Sequence, residues 1–215
     1  MAGSPVTLAE AVHNNARWCD LVCRANANPG EFTSLAWTAK SRTPLYYPDA
    51  VTLDPTATAA DILPRIDTTA GCSIKDSFAT LDLEGFEVLF AATWITGRPA
   101  PADSDWTVVD DPEALRTADF DLDVVPDDDS VFVFGDLDGD RWRGGAIVNV
   151  SGDVVGLSNL FASGDLGEAW SGVTAAIATR FPSRPIVGYE HGDDLAAALG
   201  CGFTRLGDLR VWLKP

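Results

Sequence analysis

The chain has 215 residues, 46% of them hydrophobic, with 32 acidic against 15 basic residues and a formal net charge of −17. That composition can bury a sizeable core and excludes wholesale disorder. With no clustered Lys or Arg, it also excludes nucleic acid and anionic membrane as partners, because both need a basic surface. No segment approaches the roughly 18 apolar residues of a membrane span, and the opening Met1-Ala2-Gly3-Ser4-Pro5 has no basic, then apolar, leader pattern. Four cysteines are too few for a disulfide scaffold. A cytoplasmic protein with reduced thiols is the expectation.

Thr7-Leu8-Ala9-Glu10 is a capping box, and Leu8, Val12, Cys19, Val22 and Cys23 continue at roughly helical spacing until Asn28-Pro29-Gly30. An aromatic and proline-rich loop follows, with Trp37 and Pro44-Leu45-Tyr46-Tyr47-Pro48. Thr58 to Ile66 reads as a short helix with Pro64 near its end, and Phe86 to Ile95 as a strand. Gly97 to Asp103, with Pro99 and Pro101, cannot continue a sheet or helix. A boundary is placed there: residues 1–97 an N-terminal segment, 98–105 a linker, 106–215 a second unit.

The second half is more regular. Trp106 to Val109 predicts a strand and Asp111 to Ala118 a short helix. Val131–Phe134, Gly145–Val150 and Val154–Phe161, joined by turns at Asp138-Gly139 and Ser151-Gly152-Asp153, predict an antiparallel meander. Leu166, Trp170, Val173, Ile177 and Phe181 form one apolar stripe of a helix that Pro182 stops. Ile186–Tyr189 is a strand. Asp193 or Asp194 caps a short helix through Leu199, with Gly200 as its left-handed terminator. Leu209–Leu213 is the last strand.

Several local patterns carry no metal chemistry. Asp136-Leu137-Asp138-Gly139-Asp140 lacks the glycine and glutamate of a calcium loop at the sixth and twelfth positions, so it reads as a hairpin turn. Asp127-Asp128-Asp129 reads as a turn. His13, Cys19 and Cys23 do not complete a zinc set, and the two cysteines are expected in the core. Ser77 and Ser158 lack a Gly-x-Ser-x-Gly elbow. No metal is expected.

The order meander, helix, strand, helix, strand, closed by Leu195 to Gly207 with its Gly202-Phe203 pair, resembles the GNAT acyltransferase superfamily over residues 106–215. The resemblance implies an α/β protein of α+β type: a mixed sheet flanked by helices, with the N-terminal helical and β segment packed on it. It further implies that Val154–Phe161 splays from the next strand near Phe161. Backbone groups at Leu160, Phe161 and Ala162 would then receive the pantetheine arm of acetyl-CoA. The following helix would turn its N-terminus to the pyrophosphate, where free amides and the helix dipole attract phosphate. The family's phosphate loop aligns with Gly164-Asp165-Leu166-Gly167-Glu168-Ala169. Gly167 and Ala169 match, whereas Gly164 replaces the family's Gln or Arg. Asp165 and Glu168 bring two carboxylates to an anion site; they also read as N-cap and capping box of the helix, and Arg141 or Arg143 are candidate compensating charges. The tyrosine found in many members four residues before the Gly-Phe glycine is Ala198 here. Tyr189, Glu190 and His191 are therefore the candidate catalytic residues, with the histidine able to take a proton from the substrate ammonium.

The resulting reading is an acyl-CoA-dependent N-acyltransferase with acetyl-CoA as co-substrate. Its acceptor would be a small-molecule or peptide amine, favoured by the acidic surface; a homodimer is compatible with it. The alternative is a GNAT-like binding or interaction module without catalysis.

Overall fold

The structure is a computed structural model that describes residues 5–118, 120 and 125–215. Helix α1 (Leu8–Ala25) starts at the expected box: the Thr7 hydroxyl accepts the Glu10 amide at 3.3 Å, and the Glu10 carboxylate accepts the Thr7 amide at 2.7 Å. The aromatic loop contains more order than its composition suggests. Three short strands run through it, β1 (Gly30–Phe32), β2 (Ala36–Ala39) and β3 (Ala50–Thr52), and Trp37 is a fully buried strand residue. Buried Asp20 of α1 ties them in, accepting from the Gly30 amide and the Trp37 indole at 3.1 and 3.0 Å.

Helix α2 (Ala59–Ile62) runs into a 3-10 turn at Leu63–Arg65, and β4 (Ser73–Asp76), which sequence periodicity missed, follows. Next come β5 (Glu87–Gly97), β6 (Thr107–Val108), α3 (Pro112–Leu115), and the meander β7 (Val131–Asp138), β8 (Arg141–Ser151) and β9 (Val154–Ala162). Helix α4 (Leu166–Arg180), β10 (Ile186–Glu190), α5 (Gly192–Gly200) and β11 (Thr204–Leu213) complete the chain. At α5 the caps differ from expectation. His191 is the N-cap rather than an aspartate, and Gly202 (φ +87°), not Gly200, takes the left-handed conformation after Cys201. Gly200 still lies in the helix, so the chain turns two residues later.

Among the described residues all strands form one sheet in the order β1-β2-β3-β4-β11-β5-β10-β9-β8-β7-β6, antiparallel except for β3–β4 and β9–β10. The 98–105 segment is irregular, but it joins β5 to β6 without dividing the sheet, because β5 lies between β10 and β11. Helix α1 covers one face, packing Val12, Cys19 and Val22 with Trp94, Ile147, Val187 and Leu209. Helices α4 and α5 cover the other, where Trp170, Val173, Ile177 and Ala198 meet Ile95, Val148, Val155 and Ile186. The α1 face is also stitched by polar bonds: Asn14 and Asn149 each donate a side-chain amide to the other's backbone carbonyl at 3.3 Å.

Candidate functional site

The parallel neighbours β9 and β10 are paired at only two positions, Ile186 with Val155 and Val187 with Gly156. Beyond them, Leu157–Ala162 pairs with β8 alone and Gly188–Glu190 with β5 alone. The separation therefore starts at Leu157, several residues before the expected Phe161. A bulge accounts for it. Gly145 faces Phe161 and Ile147 faces Ser158, so Asn159 and Leu160 together oppose Ala146, and Asn159 takes φ +53°. A bulge bends and over-twists its own strand, which swings β9 off β10. Asn is one of the few side chains that tolerate that conformation. At the apex the strands are still close, since a Cβ on Gly188 would lie 2.9 Å from the Leu157 carbonyl oxygen. Along the opened edge of β9, alternate N–H and C=O groups point away from β8 into the gap. Leu160 and Ala162 belong to the α4 face, while Phe161 turns to the opposite face against Trp142.

Helix α4 begins at the mouth of this gap. Asp165 is its N-cap, and its carboxylate accepts the Glu168 amide at 2.9 Å. The first intrahelical bond runs from the Ala169 amide to the Asp165 carbonyl at 3.1 Å, so the Leu166 and Gly167 amides precede it and are unused by the helix. The loop around them is small-sided: a Cβ on Gly164 would meet nothing within 4 Å, and one on Gly167 only the Asp165 carboxylate. Of the two candidate compensating cations, Arg143 is engaged elsewhere, bound to Asp136 at 2.7 and 3.0 Å. Its carbonyl accepts both the amide and the hydroxyl of Ser163, which fastens the loop after β9.

The three candidate catalytic residues do not form one cluster. On a strand, successive side chains point to opposite faces. Tyr189 lies on the α1 face, edge-on to Trp94 at 5.3 Å. Glu190 lines a cleft of 410 Å³ on the α5 side, with Thr93, Leu195, Asp208 and Arg210. Burial, reinforced by Asp194, pushes its carboxyl up to about 8. His191, exposed at the start of α5, packs its ring on Phe90 at 5.5 Å. Ala198, where the superfamily's tyrosine would stand, is buried in the α4–α5 core.

Residues that sequence reasoning did not select surround Tyr189. Lys75 of β4, only 3% exposed, donates to the Tyr189 hydroxyl at 3.1 Å and to Asn15 Oδ1 of α1 at 2.7 Å. Tyr47, from the proline-rich loop, has the side chains of Trp18 and Asn159 as hydrogen-bonding neighbours, and burial drives its hydroxyl well above the ordinary phenol range. Burial likewise pushes up the Cys19 thiol beside Lys75. The α1 face of the gap is thus walled by N-terminal residues. Two signals were in the sequence: an asparagine inside an apolar strand, a mark of positive φ, and a lysine between Ile74 and Asp76 in a lysine-poor chain.

A mixed sheet whose parallel central pair parts at a bulge, with a helix starting at the opening, is the GNAT fold. The solved structures agree. A GCN5-related N-acetyltransferase from Kribbella flavida is 12% identical with a TM-score of 0.62, covering 98% of this chain and 97% of its own. A GNAT-family protein from Novosphingobium aromaticivorans, whose description as an acetyltransferase is an inferred one, is 12% identical with a TM-score of 0.59 over 92% and 96%. A functionally unknown conserved protein from Staphylococcus epidermidis is 11% identical with a TM-score of 0.57 over 92% and 98%. The likeness spans the whole chain, not the 106–215 half that carries the motifs. At this identity it is one of fold. No family model and no curated protein matches the sequence. Among the described residues, no helix is long and apolar enough to cross a membrane.

Proposed function

We propose that the protein is an acyl-CoA-dependent N-acyltransferase that moves an acetyl group from acetyl-CoA to an amine. The observation that carries this reading is the opening of β9 from β10 immediately before the α4 N-terminus. In this reading the free backbone groups of Leu160–Ala162 take the pantetheine arm, as strand edges take an extended partner. The Leu166 and Gly167 amides with the α4 dipole receive the diphosphate, and Gly164, Gly167 and Ala169 keep the backbone reachable. The acceptor amine loses its ammonium proton to His191 or to water, then attacks the thioester carbonyl. The C–N bond forms, the C–S bond breaks, and the leaving thiolate needs a proton, which Tyr189 supplies in place of the tyrosine absent at Ala198. The chain's net charge of −17 favours a cationic acceptor, small molecule or peptide. Two of the structurally similar proteins being described as acetyltransferases supports the same class.

Calorimetry and thermal shift with acetyl-CoA test the reading. The expected result is saturable heat and a raised melting temperature; no heat and no shift at millimolar ligand would refute it. A second reading, a GNAT-like binding module without catalysis, is favoured by the Asp165 carboxylate on the Glu168 amide and by Ala198, and predicts that null result.

A further inference from the structure

Lys75 is the least expected side chain in the molecule. It is 3% exposed, and among the described residues no ion pair within 4.0 Å includes it. Burying an ammonium without a counter-charge costs stability, and lysine is rarely buried unless paired. Its surroundings are neutral: Asn15 Oδ1 at 2.7 Å, the Tyr189 hydroxyl at 3.1 Å and the Tyr189 ring, with its centroid at 4.3 Å. Three separate elements, α1, β4 and β10, come together to hold this cation against one phenol.

The donor inventory fixes what that contact does. An ammonium has three donors and no acceptor, so the Tyr189 oxygen must accept from Lys75. The phenol's own hydrogen then points elsewhere. Tyr189 stands just past the last β9–β10 pair, and its neighbour Tyr47 reaches Asn159 at the β9 bulge. Polar side chains thus run from β10 across the opening to β9.

We infer that Lys75 is a positioning residue for acyl transfer: it holds the Tyr189 oxygen so that the phenol's hydrogen is presented to the opening between β9 and β10. This rests on the acyltransferase reading, in which Tyr189 replaces the missing helix tyrosine, and adds to it the cation that positions that phenol. In the step concerned, the amine nitrogen's lone pair attacks the thioester carbonyl carbon and the C–N bond forms. The C–S bonding pair leaves on sulfur, and sulfur takes the Tyr189 proton. The phenolate is balanced by the Lys75 ammonium until the proton released by the amine returns to it through solvent. A charge kept for this purpose is a burden on the fold, so it is expected to trade stability for rate.

The test uses the full chain with acetyl-CoA and 1,4-diaminobutane, following thiol release, with Lys75→Met, Tyr189→Phe and the double variant. Lys75→Met keeps length and volume and removes a buried charge, so its melting temperature should match or exceed wild type. Its kcat should fall about 100-fold, the scale of one proton-transfer catalyst, with KM for acetyl-CoA unchanged. Tyr189→Phe should fall similarly, and the double variant should be no slower than Tyr189→Phe alone, because Lys75 acts only through that hydroxyl. A Lys75→Met protein that melts lower and turns over normally overturns the inference, as do multiplying losses in the double variant. Acetyl-CoA binding by wild type without thiol release also overturns it. If wild type neither binds acetyl-CoA nor releases thiol, the acyltransferase reading itself falls.

Discussion

Replacing Asp165 with asparagine probes the anion site most directly. The Asp165 carboxylate accepts the Glu168 amide at 2.9 Å, at the end of the helix to which the diphosphate is assigned. A phosphate oxygen on the adjacent Leu166 or Gly167 amide would lie about 5 Å from that carboxylate. At this separation two unit charges repel by about 1 kcal/mol in water-like surroundings and about 3 kcal/mol at an effective dielectric of 20. The loop is open to solvent, since Gly164 has free space where a Cβ would be, so the lower figure applies. Asp165→Asn keeps an acceptor oxygen for the Glu168 amide, and asparagine caps as well as aspartate. Acetyl-CoA should therefore bind about fivefold more tightly, with little change in melting temperature and a gain that shrinks as salt rises. Asp165→Ala separates the two effects. It also removes the charge, but loses the cap, costing about 1 kcal/mol or about 2–4 °C in a chain of this size. Calorimetric titration at low and high salt, with a thermal melt of each variant, gives both numbers. Unchanged or weaker acetyl-CoA binding by Asp165→Asn would show that the diphosphate does not sit at this helix end.

Glu190 links stability to pH. Burial, with Asp194 beside it, raises its carboxyl from the ordinary 4.5 to about 8, so between those values the folded chain holds a proton that the unfolded chain has released. Stability should be full below about pH 4.5 as far as this group is concerned and decline by a few kcal/mol as pH rises through 8. Glu190→Gln should flatten that decline in a melting-temperature series; an identical decline in the variant would assign it elsewhere. Proteolytic nicking within 98–105 should leave the two pieces associated on a sizing column, because β5 is bonded to both β10 and β11, and separation without denaturant would contradict the continuous sheet. Phe203→Ala removes a ring that is 4% exposed and packed on Trp170 at 5.3 Å. It should cost about 3–5 kcal/mol by chemical denaturation, and a loss under 1 kcal/mol would mean that the α4–α5 seam closes around the gap.

Local chemistry was legible in the residues themselves. The Thr7–Glu10 box, the apolar stripe from Leu166 to Phe181, the turns at Gly139 and Gly152 and the Gly202-Phe203 ending each need only a few neighbours in sequence, and they are enough to recognise the fold and place α4. Tertiary structure alone decided which strands meet. Strand alternation says that β5 has two faces but not that its neighbours are β10 and β11, because pairing energy depends on a partner about a hundred residues away and leaves no local period. The same holds for the site. Tyr189, Glu190 and His191 are adjacent in the chain, yet the pleat sends Glu190 to one face and Tyr189 to the other. Lys75 met Tyr189 only because β4 and β10 lie in one sheet with two strands between them, on the face that α1 covers. The bulge at Asn159 set where the gap opens, since an extra residue on one strand has consequences only against the strand it fails to match.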